Sequence, residues 1–156
     1  MVAVEMRITF RLIGKAGGVM ASTVKWTTTT LKQDADYHAP DGSEIRLLPT
    51  MTGGGLCHCT LPVGKTSLPV AHKHVEEIWY VLEGEGEVWR GNPKDHPVFV
   101  SKGTSLTIPP RTAFQFRNTG VSPLCILIVT MPQWPGPEEA EKVSGVWHPL
   151  LNKEDA

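Results

Sequence analysis

The chain of 156 residues is short of cysteine, of net charge and of long apolar runs, and each shortage excludes something. Its three cysteines, Cys57, Cys59 and Cys125, are an odd number without a Cys-x-x-Cys pair, so neither a disulfide framework nor a zinc ribbon is expected. Cys57 and Cys59 stand two apart in a strand-like run, on one face and aimed in parallel, and are expected to be free thiols. Lys and Arg number 15 against 16 Asp and Glu, leaving a formal charge of −1 and no basic field for phosphate backbones or anionic lipid. Nucleic acid and membranes are therefore not expected partners. The longest apolar stretch, Leu124 to Met131, falls far below the roughly 20 residues of a membrane helix. Glu5, Arg7, Arg11 and Lys15 interrupt any signal-peptide core, so the expected location is the cytoplasm.

What is abundant is turn chemistry, with 15 glycines and 13 prolines and no helical periodicity. From residue 43 onward short apolar or alternating runs are cut by turns such as Thr52-Gly53-Gly54-Gly55, Gly91-Asn92-Pro93 and Asn118-Thr119-Gly120. The runs are Glu44–Leu48, Leu56–Leu61, Ser67–Lys73, Glu77–Leu82, Glu87–Arg90, Pro97–Val100, Ser105–Ile108, Ala113–Asn118 and Leu124–Met131, the pattern of an all-β sandwich or barrel. The expected organisation is an extension or edge strand over 1–20, an N-terminal strand and loop over 21–42, a barrel over 43–131 and a Pro-rich tail over 132–156. Val146-Trp147, the tail's apolar patch, is expected to lie back on the barrel or on a neighbouring subunit.

Chemistry concentrates in His72-Lys73-His74-Val75-Glu76-Glu77-Ile78-Trp79-Tyr80-Val81-Leu82-Glu83-Gly84. Imidazole and carboxylate are ordinary ligands of divalent metals, and a strand–turn–strand unit can aim both at one point inside a barrel. With Gly64 upstream and Gly103, Pro109 and Asn118 downstream, this segment resembles the cupin superfamily motifs G-x5-H-x-H-x3,4-E-x6-G and G-x5-P-x-G-x2-H-x3-N. The resemblance implies a single-domain double-stranded β-helix, a jelly-roll barrel, with a metal site. It puts Glu77 in the glutamate position, six residues before Gly84. Counting back four residues makes His72 the second histidine and leaves Val70 in the place of the first. The alternative takes His72 and His74 as the pair. It leaves only Val75 and Glu76 to turn the chain, neither of which favours positive φ, so the first register is preferred. In the second motif Arg111 replaces the turn glycine and Phe114 replaces the histidine. Only His72 and Glu77 then match ligand positions, with His74 and His58 as candidates to complete a site for Fe, Mn, Ni or Zn.

Strand parity turns Glu77, Trp79 and Val81 inward and Ile78, Tyr80 and Leu82 outward. It likewise turns Phe114 and Phe116 inward and Gln115 and Arg117 outward. His58 points away from the face carrying Cys57, Cys59 and Leu61, and only one of those faces can line a pocket. The expected pocket combines His72 and Glu77 with Trp79, Phe114, Phe116 and Val70, and suits a small, partly apolar organic molecule. Three functions remain open. One is a metal-dependent isomerase, lyase or dioxygenase, as the resemblance implies, with His72 and Glu77 as catalytic residues. Another is a metal-free acid–base isomerase or cyclase using the same pair. The last is a binding module without chemistry. The outward row Ile78, Tyr80 and Leu82 suggests a homodimer.

Overall fold

The computed structural model describes residues 26–151. The chain divides into two units, Met1–Thr30 and Leu31–Ala156, and the β domain belongs to the second. The extension or edge strand expected over 1–20 lies outside the described residues.

Eleven strands follow in order: β1 (Tyr37–His38), β2 (Glu44–Met51), β3 (Gly54–Leu61), β4 (Val70–His72), β5 (Glu76–Glu83), β6 (Glu85–Arg90), β7 (Val98–Ser101), β8 (Ser105–Ile108), β9 (Phe114–Asn118), β10 (Leu124–Met131) and β11 (Ala140–Lys142). A 3-10 turn at Pro137–Glu139 is the one helical element among the described residues. No helix of the described residues is long and apolar enough to cross a membrane. The strands form two antiparallel sheets, a six-stranded one in the order β1-β2-β3-β10-β5-β8 and a five-stranded one in the order β11-β4-β9-β6-β7. From β3 to β6 and again from β7 to β11 successive strands alternate between the sheets, which is the winding of a jelly-roll barrel. Ser105–Ile108 and Leu124–Met131 have the boundaries expected from sequence, while β4 keeps only three residues of the expected Ser67–Lys73. Sheet pairing also reaches beyond 43–131, since β1 pairs with β2 and β11 with β4.

The period-2 signal sets the core. Along β10, Leu124, Ile126, Ile128 and Thr130 are buried, and the residues between them are half-buried on the outer face. Along β5, Glu77, Trp79 and Val81 are buried, while Ile78 and Tyr80 are exposed. The inward residues meet Leu61, Val88, Val100 and Phe116 from the other strands in one cluster.

Two turns show why the motif positions matter. Gly84, at φ 82°, carries the chain from β5 in one sheet to β6 in the other, and a Cβ there would stand 2.4 Å from the Pro123 carbonyl oxygen. Arg111 adopts φ 60°, the one positive-φ residue other than glycine among the described residues, so the turn keeps the geometry of the glycine it replaces. Its N–H donates to the His72 carbonyl at 2.6 Å, which ties this turn to the strand carrying the histidine.

The tail does fold back on the barrel. Gln115 points out of the barrel yet is fully buried, because its side chain bonds the chain at Ser67, Val146 and Trp147. The Trp147 ring lies 4.5 Å from the Arg117 guanidinium. Cys57, Cys59 and Cys125 are free thiols.

Candidate functional site

Between the sheets lies a cavity of about 730 Å³, a volume in the range of small-molecule sites. β4 and β5, joined by the turn at 73–75, bring His72 and Glu77 to it from opposite sheets. His72 is 5% exposed and Glu77 6%, and His72 Nδ1 stands 3.7 Å from Glu77 Oε1. That separation exceeds a hydrogen bond, and His72 Nδ1 is a buried polar atom without a protein partner. Trp79 Nε1 donates to Glu77 Oε2 at 2.7 Å, so Oε1, the oxygen facing the histidine, is the one left to carry a proton.

Burial dominates the electrostatics of the pair. Desolvation lifts the Glu77 carboxyl from 4.5 to about 8, against the indole bond, and the nearby Asp41 adds to the rise. Desolvation also lowers the His72 imidazole from 6.5 to about 4, with the Glu139 carboxylate opposing it. At neutral pH the pair is therefore a neutral imidazole facing a carboxylic acid, not a salt bridge. Cys57, also lining the cavity, is pushed up to about 12, chiefly by burial, and stays a thiol.

The walls are apolar. Val70 pairs with Phe114 across the β4–β9 ladder, so the two positions where the family motifs carry histidines form one continuous hydrophobic surface. Phe114 meets the His72 ring edge-on at 5.1 Å and Trp79 at 5.6 Å. His72 also meets Trp134, from the segment that follows β10, with ring centroids 5.0 Å apart.

Three expected residues lie elsewhere. His58 sits on the outer side of β3, near the Thr60 hydroxyl at 3.4 Å, because strand parity gives the cavity face to Cys57. His74 occupies the β4–β5 turn with its side chain 72% exposed, 3.2 Å from Glu139 Oε2. Phe116 is fully buried behind Trp79, with ring centroids 5.1 Å apart, and supports the wall without lining it. Sequence reasoning missed Asp41 and Trp134, which line the cavity, and Glu139, which holds the turn. The Asp41-Gly42-Ser43 turn and the proline-rich run after β10 mark these segments as loops, and nothing local tells where they pack.

A divalent metal does not fit this donor set. At the motif's ligand positions His72 and Glu77 supply two ligands and Val70 and Phe114 none, His58 and His74 are outside the cavity, and His38, Asp41 and Cys57 also line it. No group of three His, Cys, Asp or Glu side chains among the described residues could hold a metal ion.

Two interleaved antiparallel sheets around an aromatic cavity define a double-stranded β-helix barrel. The chain belongs to the cupin family, the Cupin domain matching residues 57–130. It is 36% identical over 117 residues to Uncharacterized protein MJ1618 of Methanocaldococcus jannaschii, covering 72% of this chain and 91% of that one. Among solved structures it resembles a double-stranded β-helix protein from Klebsiella pneumoniae, with a TM-score of 0.57 and 17% identity over 66% of this chain and 85% of the other. It also resembles Streptomyces PAC13, solved with uridine, with a TM-score of 0.58 and 12% identity over 76% of this chain and 92% of the other. At such identities the structural likeness shows the shared fold.

Proposed function

We propose that the protein is a metal-free acid–base catalyst acting on a small, partly apolar organic molecule, by isomerisation, epimerisation or cyclisation. The observation that carries this reading is the unpartnered His72 Nδ1 facing Glu77 Oε1 at 3.7 Å inside the cavity. A substrate atom placed there meets a neutral base and a protonated acid together. His72 takes a proton from carbon or oxygen, and Glu77 gives its Oε1 proton to the oxygen on which charge develops. Trp79 then donates to the resulting carboxylate, which it already contacts through Oε2. The rings of Trp79, Trp134 and Phe114 exclude water and bury the apolar part of the molecule.

The test follows hydrogen–deuterium exchange at carbon by proton NMR, on a panel of small aryl ketones and enols in D2O with excess chelator. Exchange is expected to persist in chelator and to fall by at least about 100-fold in His72→Ala and in Glu77→Gln. Exchange that vanishes with chelator and returns with added iron, manganese, nickel or zinc would overturn the reading. So would binding of panel members with no exchange, which would leave a cavity that only holds its ligand.

A further inference from the structure

His72 ends β4, and its surroundings come largely from the segment that follows the barrel. The β4–β9 ladder pairs only Val70, with Phe114, so it stops short of the histidine. The ladder partner of His72 is Ala140, on the three-residue edge strand β11. Trp134, six residues before Ala140, packs on the His72 ring. Between them stands Glu139, 5% exposed, and all three residues of the turn at 73–75 bond it. Its carbonyl accepts the Lys73 N–H at 3.0 Å, and its Oε1 accepts the His74 N–H and, at 2.8 Å, the Val75 N–H.

That turn is also the shortest chain path between the two groups that face each other in the cavity. His72 and Glu77 lie in opposite sheets, separated by the four residues 73–76, and no hydrogen bond joins them across 3.7 Å. Their relative placement therefore follows the path of the turn, and a displacement of about 1 Å in a reacting group can cost about 100-fold in rate. The Arg111 N–H steadies the His72 carbonyl from the barrel's side, but it does not touch the turn that leads to Glu77. Glu139 has a second, electrostatic effect. Its carboxylate opposes the lowering that burial imposes on the His72 imidazole, so reach and charge are separable contributions of one side chain.

We propose that Glu139 is a positioning residue for the cavity's acid–base pair, setting how His72 faces Glu77 by bracing the turn between them. The inference rests on the acid–base reading for its activity readout alone, since the bracing is a matter of geometry. Reach is the property that counts.

Three variants of the full-length protein separate reach from charge in the carbon-exchange assay with excess chelator. Glu139→Gln keeps an oxygen at the turn without the charge, Glu139→Asp keeps the charge but draws it back by one methylene, and Glu139→Ala removes both. The glutamine protein is expected to stay within about threefold of native kcat. The aspartate and alanine proteins are expected to lose at least about tenfold in kcat, with KM within about twofold of native. A folded aspartate protein as active as the glutamine one, a glutamine protein that loses tenfold, or a loss carried by KM alone would overturn the proposal. The glutamine result decides the matter even where the other two variants do not fold. Proton NMR of the His72 ring, assigned by the loss of its signals in His72→Ala, reports its packing against Phe114 and Trp134 without any turnover. Those signals are expected to keep their native positions in Glu139→Gln and to move in Glu139→Asp. Unmoved signals in the folded aspartate protein would sink the bracing role, whereas absence of exchange in the native protein would remove the acid–base reading and leave the ring shifts to judge the bracing.

Discussion

Replacing Glu139 by alanine is expected to lower stability by about 4 kcal/mol, although the residue lies outside the barrel motifs. Glu139 is 5% exposed, and its Oε1 accepts the Val75 N–H at 2.8 Å together with the His74 N–H. Val75 is fully buried, so its amide would be stranded away from water. The turn between β4 and β5 has no positive-φ residue to make a tight hairpin, and the carboxylate supplies the missing acceptor from 64 residues away. Main-chain bonds reinforce it, with Lys73 N–H donating to the Glu139 carbonyl at 3.0 Å and β11 pairing along β4. Desolvation pushes this carboxyl up, but the bonds from His74 and Val75 outweigh it and hold the group below 4.5. Its contribution is therefore present above pH 4.5 and is lost as pH falls through the lowered value. Glu139→Gln keeps one acceptor oxygen and is expected to lose roughly half as much. Urea unfolding at neutral pH measures both variants, and an alanine protein within about 1 kcal/mol of the native one would sink the argument.

The same turn separates what was legible in the sequence from what was not. Gly84 and Gly103 sit at motif positions and adopt φ 82° and 90°, because a strand-to-strand corner there needs a backbone that side chains resist. Parity along β5 placed Glu77 and Trp79 inward, since a strand packed on one face admits one register. Parity also separated His58 from Cys57, though it could not choose which face lines the cavity. That choice is made by β10, where Cys57 lies opposite Ile128 and both line the cavity. Asp41, Trp134 and Glu139 were not legible, because each comes from a loop or tail whose position is fixed by long-range contacts. Arg111 shows the limit in the other direction. Its sequence breaks the motif, yet the exposed turn accommodates φ 60° and keeps the glycine's geometry.

Glu77→Gln is expected to change the pH dependence of stability more than stability at any one pH. The unfolded chain gives up the Glu77 proton from about pH 4.5 upward, whereas the folded protein holds it to about 8. The unfolded state binds fewer protons over that interval, so stability falls as pH rises through it. His72 acts at the other end. The unfolded chain takes up its proton below 6.5 and the folded protein only near 4, so stability falls as pH drops through that range. Between 4.5 and 6.5 the two slopes cancel, and the pair alone gives a plateau there with a decline on either side. A glutamine cannot ionise, and its carbonyl oxygen can still accept the Trp79 indole N–H that now bonds Glu77 Oε2 at 2.7 Å. The glutamine protein should therefore gain on the native protein by about 4 kcal/mol between pH 4.5 and pH 9. Asp41 is common to both proteins and drops out of the comparison. Urea titrations at half-unit intervals of pH measure the gap. Parallel curves would mean that Glu77 is ionised in the folded protein at neutral pH, which would remove the general acid from the chemistry proposed for the cavity.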